Sequence, residues 1–241
     1  MDINKAFRFV PEDKQWVSKL LIAVLVSLFS FLIIPAFFLG GYSIKIVRQV
    51  MNGQWDGLPE WDDWGKLFKD GFFVAIAEMI YTLPFIILII IVGGASGGFA
   101  SLADSGSGDA AGLIAGGGFT LMLCLVGIFI IALLLIAPAL TIQYAMKDDF
   151  GALFRVSEIL GIVRNNLSDI LIVFVIMIVA GFAISIVSGI LGLIPCLGWI
   201  AAAIIGLAFG PYLTFVVGHL YGQIAAKILG NKTGGSISGM A

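Results

Sequence analysis

The chain has 241 residues, of which 60% are hydrophobic and 12% charged, with a formal net charge of −2 and a mean hydropathy of +1.10. A soluble domain devotes roughly a quarter of its residues to charge, so this chain cannot clothe a water-facing surface and reads as an integral membrane protein. The same figures exclude a soluble enzyme, a nucleic-acid binder and a disordered chain, and the length leaves room for one membrane domain with no folded soluble domain beside it.

Residues 1–19 read as an N-terminal amphipathic segment, with Ile3, Phe7 and Val10 on one side and Pro11 ending the turn. A single helical membrane domain is expected over 20–230, with five apolar stretches near the length of about 20 residues that a crossing helix needs. The first, 20–44, runs 25 residues without a charge and contains Pro35. It is too long for the core of a secretory leader, and neither end carries a lipidation motif. The second, 71–92, is interrupted only by Glu78, and the third, 113–146, holds Pro138. The loop Gly93–Gly118 between them has ten glycines and reads as flexible and exterior. The fourth, 170–190, and the fifth, 199–221, are joined by a short apolar turn with Pro195 and predict an antiparallel hairpin. Pro211 and His219 lie in the fifth, and 231–241 reads as a flexible tail. Cys124 and Cys196 are expected as buried free thiols, because free cysteine packs as a small hydrophobe.

Lysine and arginine set the orientation. They occupy 45–70, 147–169 and the segment after 221, and are missing from 93–112 and 191–198. That alternation places the basic segments, including the C-terminus, in the cytoplasm. Residues 1–19 break it, because Lys5, Arg8, Lys14 and Lys19 would lie outside if the first span crosses fully. Either the N-terminal segment is exterior, or the first span is re-entrant and turns at Pro35.

Two stretches share an order of residues. After Pro35 the helix continues to Tyr42 and leaves at Lys45; after Pro138 it continues to Tyr144 and leaves at Lys147. An amphipathic stretch and another span follow each, and Pro211 opens a partial third copy. The pattern predicts an all-α polytopic fold built on a duplicated unit of span, interfacial helix and span. Equivalent halves should run the same way, which favours a full crossing by the first span. In the first connector Trp61, Trp64 and Phe68 fall on one helical face and read as anchors of an interfacial helix. The second has Phe150, Leu153, Phe154 and Leu160 in a weaker version of the same pattern.

The Gly40-Gly41-Tyr42 exit, the element Leu58-Pro59-Glu60-Trp61-Asp62-Asp63-Trp64 with Phe68 and Gly71 after it, and the finish Gly218-His219-Leu220-Tyr221-Gly222-Gln223 carry a resemblance. Over roughly residues 10–230 the chain resembles the prokaryotic membrane family catalogued as domain of unknown function 4013. The resemblance implies a multi-span prokaryotic membrane protein of the cell membrane. It implies no activity, cofactor or catalytic residue.

Glu78 is the one acid within a span, and an intramembrane carboxylate is a candidate for proton or ion relay. Its structural alternative is an ion pair with Lys69 or the interface. His219 is the sole histidine, which rules out a multi-histidine metal site in one chain. It sits on a small-residue stripe of Gly206, Gly210, Gly218 and Gly222, facing a second stripe of Gly181, Ser185 and Gly189 in the fourth span. Such stripes let helices approach closely, either within the hairpin, with His219 donating across it, or between copies of the chain. Asp56, Glu60, Asp62 and Asp63 could hold a divalent cation, but their spacing matches no calcium loop and helix capping accounts for them. Pro35, Pro138 and Pro211 are expected helix breaks, a feature of midplane binding sites in transporters.

No motif for hydrolase, phosphate-loop or zinc-protease chemistry is present, so no cofactor, metal or catalytic residue is expected. The reading favoured is a non-enzymatic membrane scaffold or organiser that self-associates, with the lipid bilayer and further copies as partners and no nucleic acid. The alternative is a channel or permease for a small or amphiphilic solute, motivated by the repeat, the prolines and Glu78. An intramembrane enzyme is a distant third.

Overall fold

The computed structural model describes the backbone of residues 1–104 and 109–237, and the side chains outside 95–116, 118–119 and 231–241. Among the described residues every regular element is a helix: α1 (Ile3–Glu12), α2 (Trp16–Leu28), α3 (Ile34–Met51), α4 (Trp64–Asp104), α5 (Asp109–Lys147), α6 (Val156–Asn165), α7 (Leu167–Gly192) and α8 (Leu197–Ile237). Short 3₁₀ turns occupy Ser30–Leu32 and Phe150–Phe154. The all-helical expectation holds. Four stretches are long and apolar enough to cross a membrane: Trp64–Gly94, Thr120–Lys147, Leu167–Gly192 and Leu197–Gly230. Trp16–Leu28 is a shorter apolar helix of 13 residues, about 20 Å long at 1.5 Å per residue against a hydrocarbon core of about 30 Å.

The first apolar stretch is a hairpin, which corrects the full crossing expected from the repeat. Trp61 donates its indole N–H to the Lys19 carbonyl at 3.0 Å, and the same ring stacks on Tyr42 at 3.9 Å between centroids. A continuous helix would hold residues 19 and 42 about 35 Å apart, so the chain must double back between them. The bend comes at Phe29–Ile33. Pro35 cannot continue a helix, since it lacks an N–H and its ring meets the carbonyl four residues earlier. It therefore opens α3, in that helix's first turn. Ile33 takes a left-handed φ of 66°, a strained conformation for a β-branched residue. The bend keeps its backbone bonded: the N–H groups of Phe29, Leu32, Ile33 and Ala36 donate to Leu25, Phe29, Ser30 and Ile33 carbonyls. Apolar surroundings demand such closure, and Phe31, Leu32 and Ile33 stand exposed around it.

Two compact units divide the chain. The first comprises residues 1–75 and 138–241, the second 76–137. In the first, α3 packs along α8. A core of Phe9 and Val10 from α1, Ala23 from α2, Tyr42, Ile46 and Val50 from α3, Leu67 from α4 and Phe215 from α8 closes around it. Two glycine contacts set the spacing. A methyl on Gly41 would enter the Leu67 carbonyl of α4, and one on Gly222 would lie 3.0 Å from the Val47 carbonyl of α3. The α7/α8 hairpin forms as expected; its turn places Cys196 at a φ of 62° and ties the Trp199 indole to the Gly192 carbonyl at 3.0 Å. In the second unit α4 and α5 run antiparallel, with Phe85 against Phe129 at 5.0 Å.

Other expectations are revised. The stretch Gly93–Gly118 is helical to Asp104 and again from Asp109, since a backbone in apolar surroundings satisfies itself as helix despite glycine's poor propensity; residues 105–108 lie outside the described residues. The tail read at 231–241 continues α8 as far as Ile237, and 238–241 lie outside them. No separate interfacial helix precedes the second span, because helix begins only at Trp64 and runs on unbroken. Pro138 and Pro211 stand inside continuous helices. Cys124 and Cys196 are free but exposed, pointing away from the helical core.

Candidate functional site

The polar residues of the first unit gather into linked clusters where α1, residues 52–63 and the ends of the long helices meet. The deepest surrounds Lys19. Its ammonium donates to Asp13 Oδ2 at 2.9 Å, to the Leu58 carbonyl at 2.7 Å and to Glu60 Oε1 at 2.8 Å, which satisfies all three of its N–H groups. Lys19 is 5% exposed. Burial works against its charge, but the bonds to Glu60 and Asp13 outweigh it and hold the ammonium above its ordinary range. Burial likewise opposes ionisation of Asp13, and Lys19 with the Gln15 and Leu58 N–H groups overcomes it, so this carboxyl titrates below the usual range.

A second cluster ties three long helices. Arg48 of α3 pairs with Asp70 of α4, which is 2% exposed and accepts from the Tyr144 hydroxyl of α5 at 2.9 Å. Arg48 also reaches Asp148 at 2.8 Å, and Lys66 reaches the same carboxylate at 3.1 Å. Burial of Asp148 is outweighed by Lys66 and Arg48, which keep it ionised below its ordinary range.

His219 is fully buried, yet it does not face α7 as the hairpin reading expects. It packs against Phe9 at 4.5 Å and Trp55 at 5.9 Å. The Asp2 N–H donates to Gln223 Oε1 at 2.6 Å, which fixes the amide, so Gln223 Nε2 donates to the Asp2 carbonyl at 2.8 Å and to His219 Nδ1 at 3.1 Å. His219 Nε2 therefore carries the hydrogen and faces the Trp55 carbonyl at 3.4 Å. The imidazole latches α1 and residues 52–63 onto α8. Beside it a cavity of about 620 Å³ is lined by Asp2, Ile3, Trp55, Asp169, Gln223 and Lys227 among others, which brings the start of α7 and the end of α8 to the same place as α1.

The remaining predicted residues fall as follows. Trp61 is sandwiched between Tyr42 and Trp64, at 3.9 and 5.5 Å, inside the protein. Trp64 is exposed and also meets Phe38 at 5.4 Å, while Phe68 packs on Phe37 and Phe38. Asp56, Glu60 and Asp62 each take one lysine, Lys5, Lys19 and Lys45 respectively. Asp63 caps α4 by accepting from the Lys66 N–H at 3.1 Å. Gly218 and Gly222 meet Ser43 and Val50 of α3 rather than α7, whereas Gly181, Gly189, Gly206 and Gly210 have no neighbour near their Cα hydrogens. Among the described residues Ser185 bonds only to the Gly181 carbonyl of its own helix. Lys69 stands over the Phe73 ring at 5.5 Å, and among the described residues no ion pair reaches Glu78.

Sequence reasoning gave no partner to Lys19, Arg48, Asp70 or Gln223, because the contacts that place them, with Leu58 and Glu60, with one another and with Asp2, join segments far apart in the chain. Tyr42 and Tyr144 were visible as exit residues. Both are buried, and each donates into these clusters, Tyr42 to the Pro59 carbonyl at 2.7 Å.

The arrangement is that of a polytopic helical membrane protein with Lys19 and Asp70, its buried charges, in ion pairs and its apolar helix faces open. The chain belongs to the family described as Protein of unknown function (DUF4013), whose model matches residues 28–193. It is 31% identical over 172 residues to an uncharacterized protein of Methanocaldococcus jannaschii, an alignment covering 69% of this chain and 56% of that protein. The chain thus spans little more than half the length of this relative. No solved structure matches.

Proposed function

We propose that this chain is a non-enzymatic membrane organiser that self-associates in a prokaryotic cell membrane. The observation that carries this reading is the one-sided loading of the bilayer. The α2–α3 hairpin enters and leaves on the side where α1 and residues 52–63 lie, and amphipathic α6, with Ile159 and Ile162 buried and Leu160 exposed, lies next to the start of α7. Helices inserted from one side add cross-section to that leaflet alone. All thirteen lysines and arginines fall in residues of the first unit. The bias of basic residues towards the cytoplasm supports reading that side, with residues 1–19 and the end of α8, as the inner one. Gly181, Gly189, Gly206 and Gly210, open along α7 and α8, offer the close helix approach that association in lipid uses.

The test is the mass of the particle in nanodiscs by native mass spectrometry, together with the diameter of vesicles into which it is reconstituted. Discrete multiples of the chain and a narrowed vesicle distribution are expected. A monomer at every protein-to-lipid ratio, with vesicles unchanged, would refute the proposal. A second reading, a channel or permease, is favoured by Glu78, an acid in a membrane-length helix that no ion pair reaches among the described residues. Solute or proton flux that wild type supports and Glu78→Gln abolishes would establish it in place of the first.

A further inference from the structure

A second cavity of about 420 Å³ lies where the end of α5, α6, the start of α7 and α8 come together. Its volume is that of a small-ligand site, and its lining is chemically asymmetric. Gln143 and Asn166 are buried, 1% and 6% exposed, and both line it. Their amide nitrogens are used, Gln143 Nε2 donating to Glu158 at 2.7 Å and Asn166 Nδ2 to the Ile162 carbonyl at 3.0 Å. Neither amide oxygen has a further hydrogen bond among the described residues, and since no buried side-chain oxygen there is left unpaired, both are accessible from the cavity their residues line. The Glu158 carboxylate, which also pairs with Arg155 at 3.4 Å, lines the same space, and three acceptors around one space suit a donor with several N–H groups. Lys147 stands at the same cavity and has no ion-pair partner among the described residues. Met146, Ile162 and Ile228 supply the apolar part of the wall.

We propose that this pocket binds a primary ammonium carried beside a phosphate, the chemistry shared by an ethanolamine phospholipid headgroup and free phosphoethanolamine. The ammonium donates to Glu158, Gln143 and Asn166, and the phosphate meets Lys147. A trimethylammonium group has no N–H to give and is recognised through aromatic faces, and none of the lining residues is aromatic. The pocket therefore separates ethanolamine from choline headgroups. It lies within a single chain and does not depend on association.

The experiment is native mass spectrometry of delipidated protein given equal phosphatidylethanolamine and phosphatidylcholine of matched acyl chains. Wild type is expected to retain the ethanolamine lipid about tenfold better, the scale of one charge-assisted hydrogen bond. Glu158→Gln, at a partly exposed position, should keep the thermal stability and lose that preference. Lys147→Ala should weaken both lipids alike, because both carry the phosphate. Equal retention of the two lipids by wild type, or an unchanged preference in Glu158→Gln, would overturn the proposal. Displacement of bound lipid by equimolar free phosphoethanolamine assigns the soluble source; retention of the lipid against it assigns the headgroup.

Discussion

Replacing Lys19 by methionine keeps the aliphatic stem and deletes the ammonium. The side chain it leaves is surrounded by Asp13, 9% exposed, the Leu58 carbonyl and the more open Glu60, 64% exposed. Breaking one half of a buried ion pair costs about 3–5 kcal/mol, because the remaining charge is stranded. Asp13 keeps two N–H donors, from Leu58 and Gln15, and Glu60 is hydrated, so the lower end applies, about 3 kcal/mol. For a chain of this length that is a fall of about 6–12 °C in Tm. The assay is thermal unfolding in detergent or nanodiscs, followed by helical circular dichroism. Adding Asp13→Asn, which keeps an acceptor for Leu58 and removes the stranded charge, should recover part of the loss, so that the double variant costs less than the two single changes summed. A drop in Tm of less than about 2 °C for Lys19→Met would refute the idea that this ammonium fastens the hairpin to residues 58–60.

Gly41→Ala should destabilise by about 1–3 kcal/mol, because its methyl meets backbone of α4 that cannot swing aside. Gly206→Ala, with open space around it, should leave Tm unchanged or raise it slightly; equal losses for both in thermal unfolding would show the helix spacing to be wrong. Ile33→Gly should stabilise, since it removes a β-branched side chain from a φ of 66°, and a fall in Tm would argue against the bend. In acid, Asp13 and Asp148 have carboxyls held below the ordinary value of 3.8 in the folded state. Their contribution is therefore complete above that value and lost as pH falls through the folded pKa. Tm should be flat from neutral pH to about 5 and decline below about 4, and Asp13→Asn should blunt the decline. Lys19 acts in the opposite sense, its contribution being complete below 10.5 and lost as pH rises through its higher folded value.

The helical membrane class, the α7/α8 hairpin and four of the crossing segments were legible because each is a long apolar run with a turn signal beside it. The hairpin at Phe29–Ile33 was legible only as an alternative. Length and hydropathy read 20–44 as one span, and what bends it is the conjunction of Pro35 with a docking ring, Trp61, more than twenty residues further on. The charge pattern held the better clue, since four basic residues before Leu20 are anomalous for a full crossing and ordinary for a re-entrant one. The small-residue stripes were found, but a stripe does not say which helix it faces: Gly218 and Gly222 chose α3 over α7. Paired charges such as Arg48 with Asp70 leave no mark in one sequence, because their 22-residue separation has no periodic meaning.

The re-entrant hairpin also has a consequence for biogenesis. In the orientation proposed above, the turn of the α7/α8 hairpin, 193–196, is the part of that hairpin carried through the membrane, and it holds no lysine or arginine. The pair α7/α8 then inserts as one hairpin without taking a cation through apolar lipid. The hairpin of α2 and α3 closes once Trp61 has emerged to receive it.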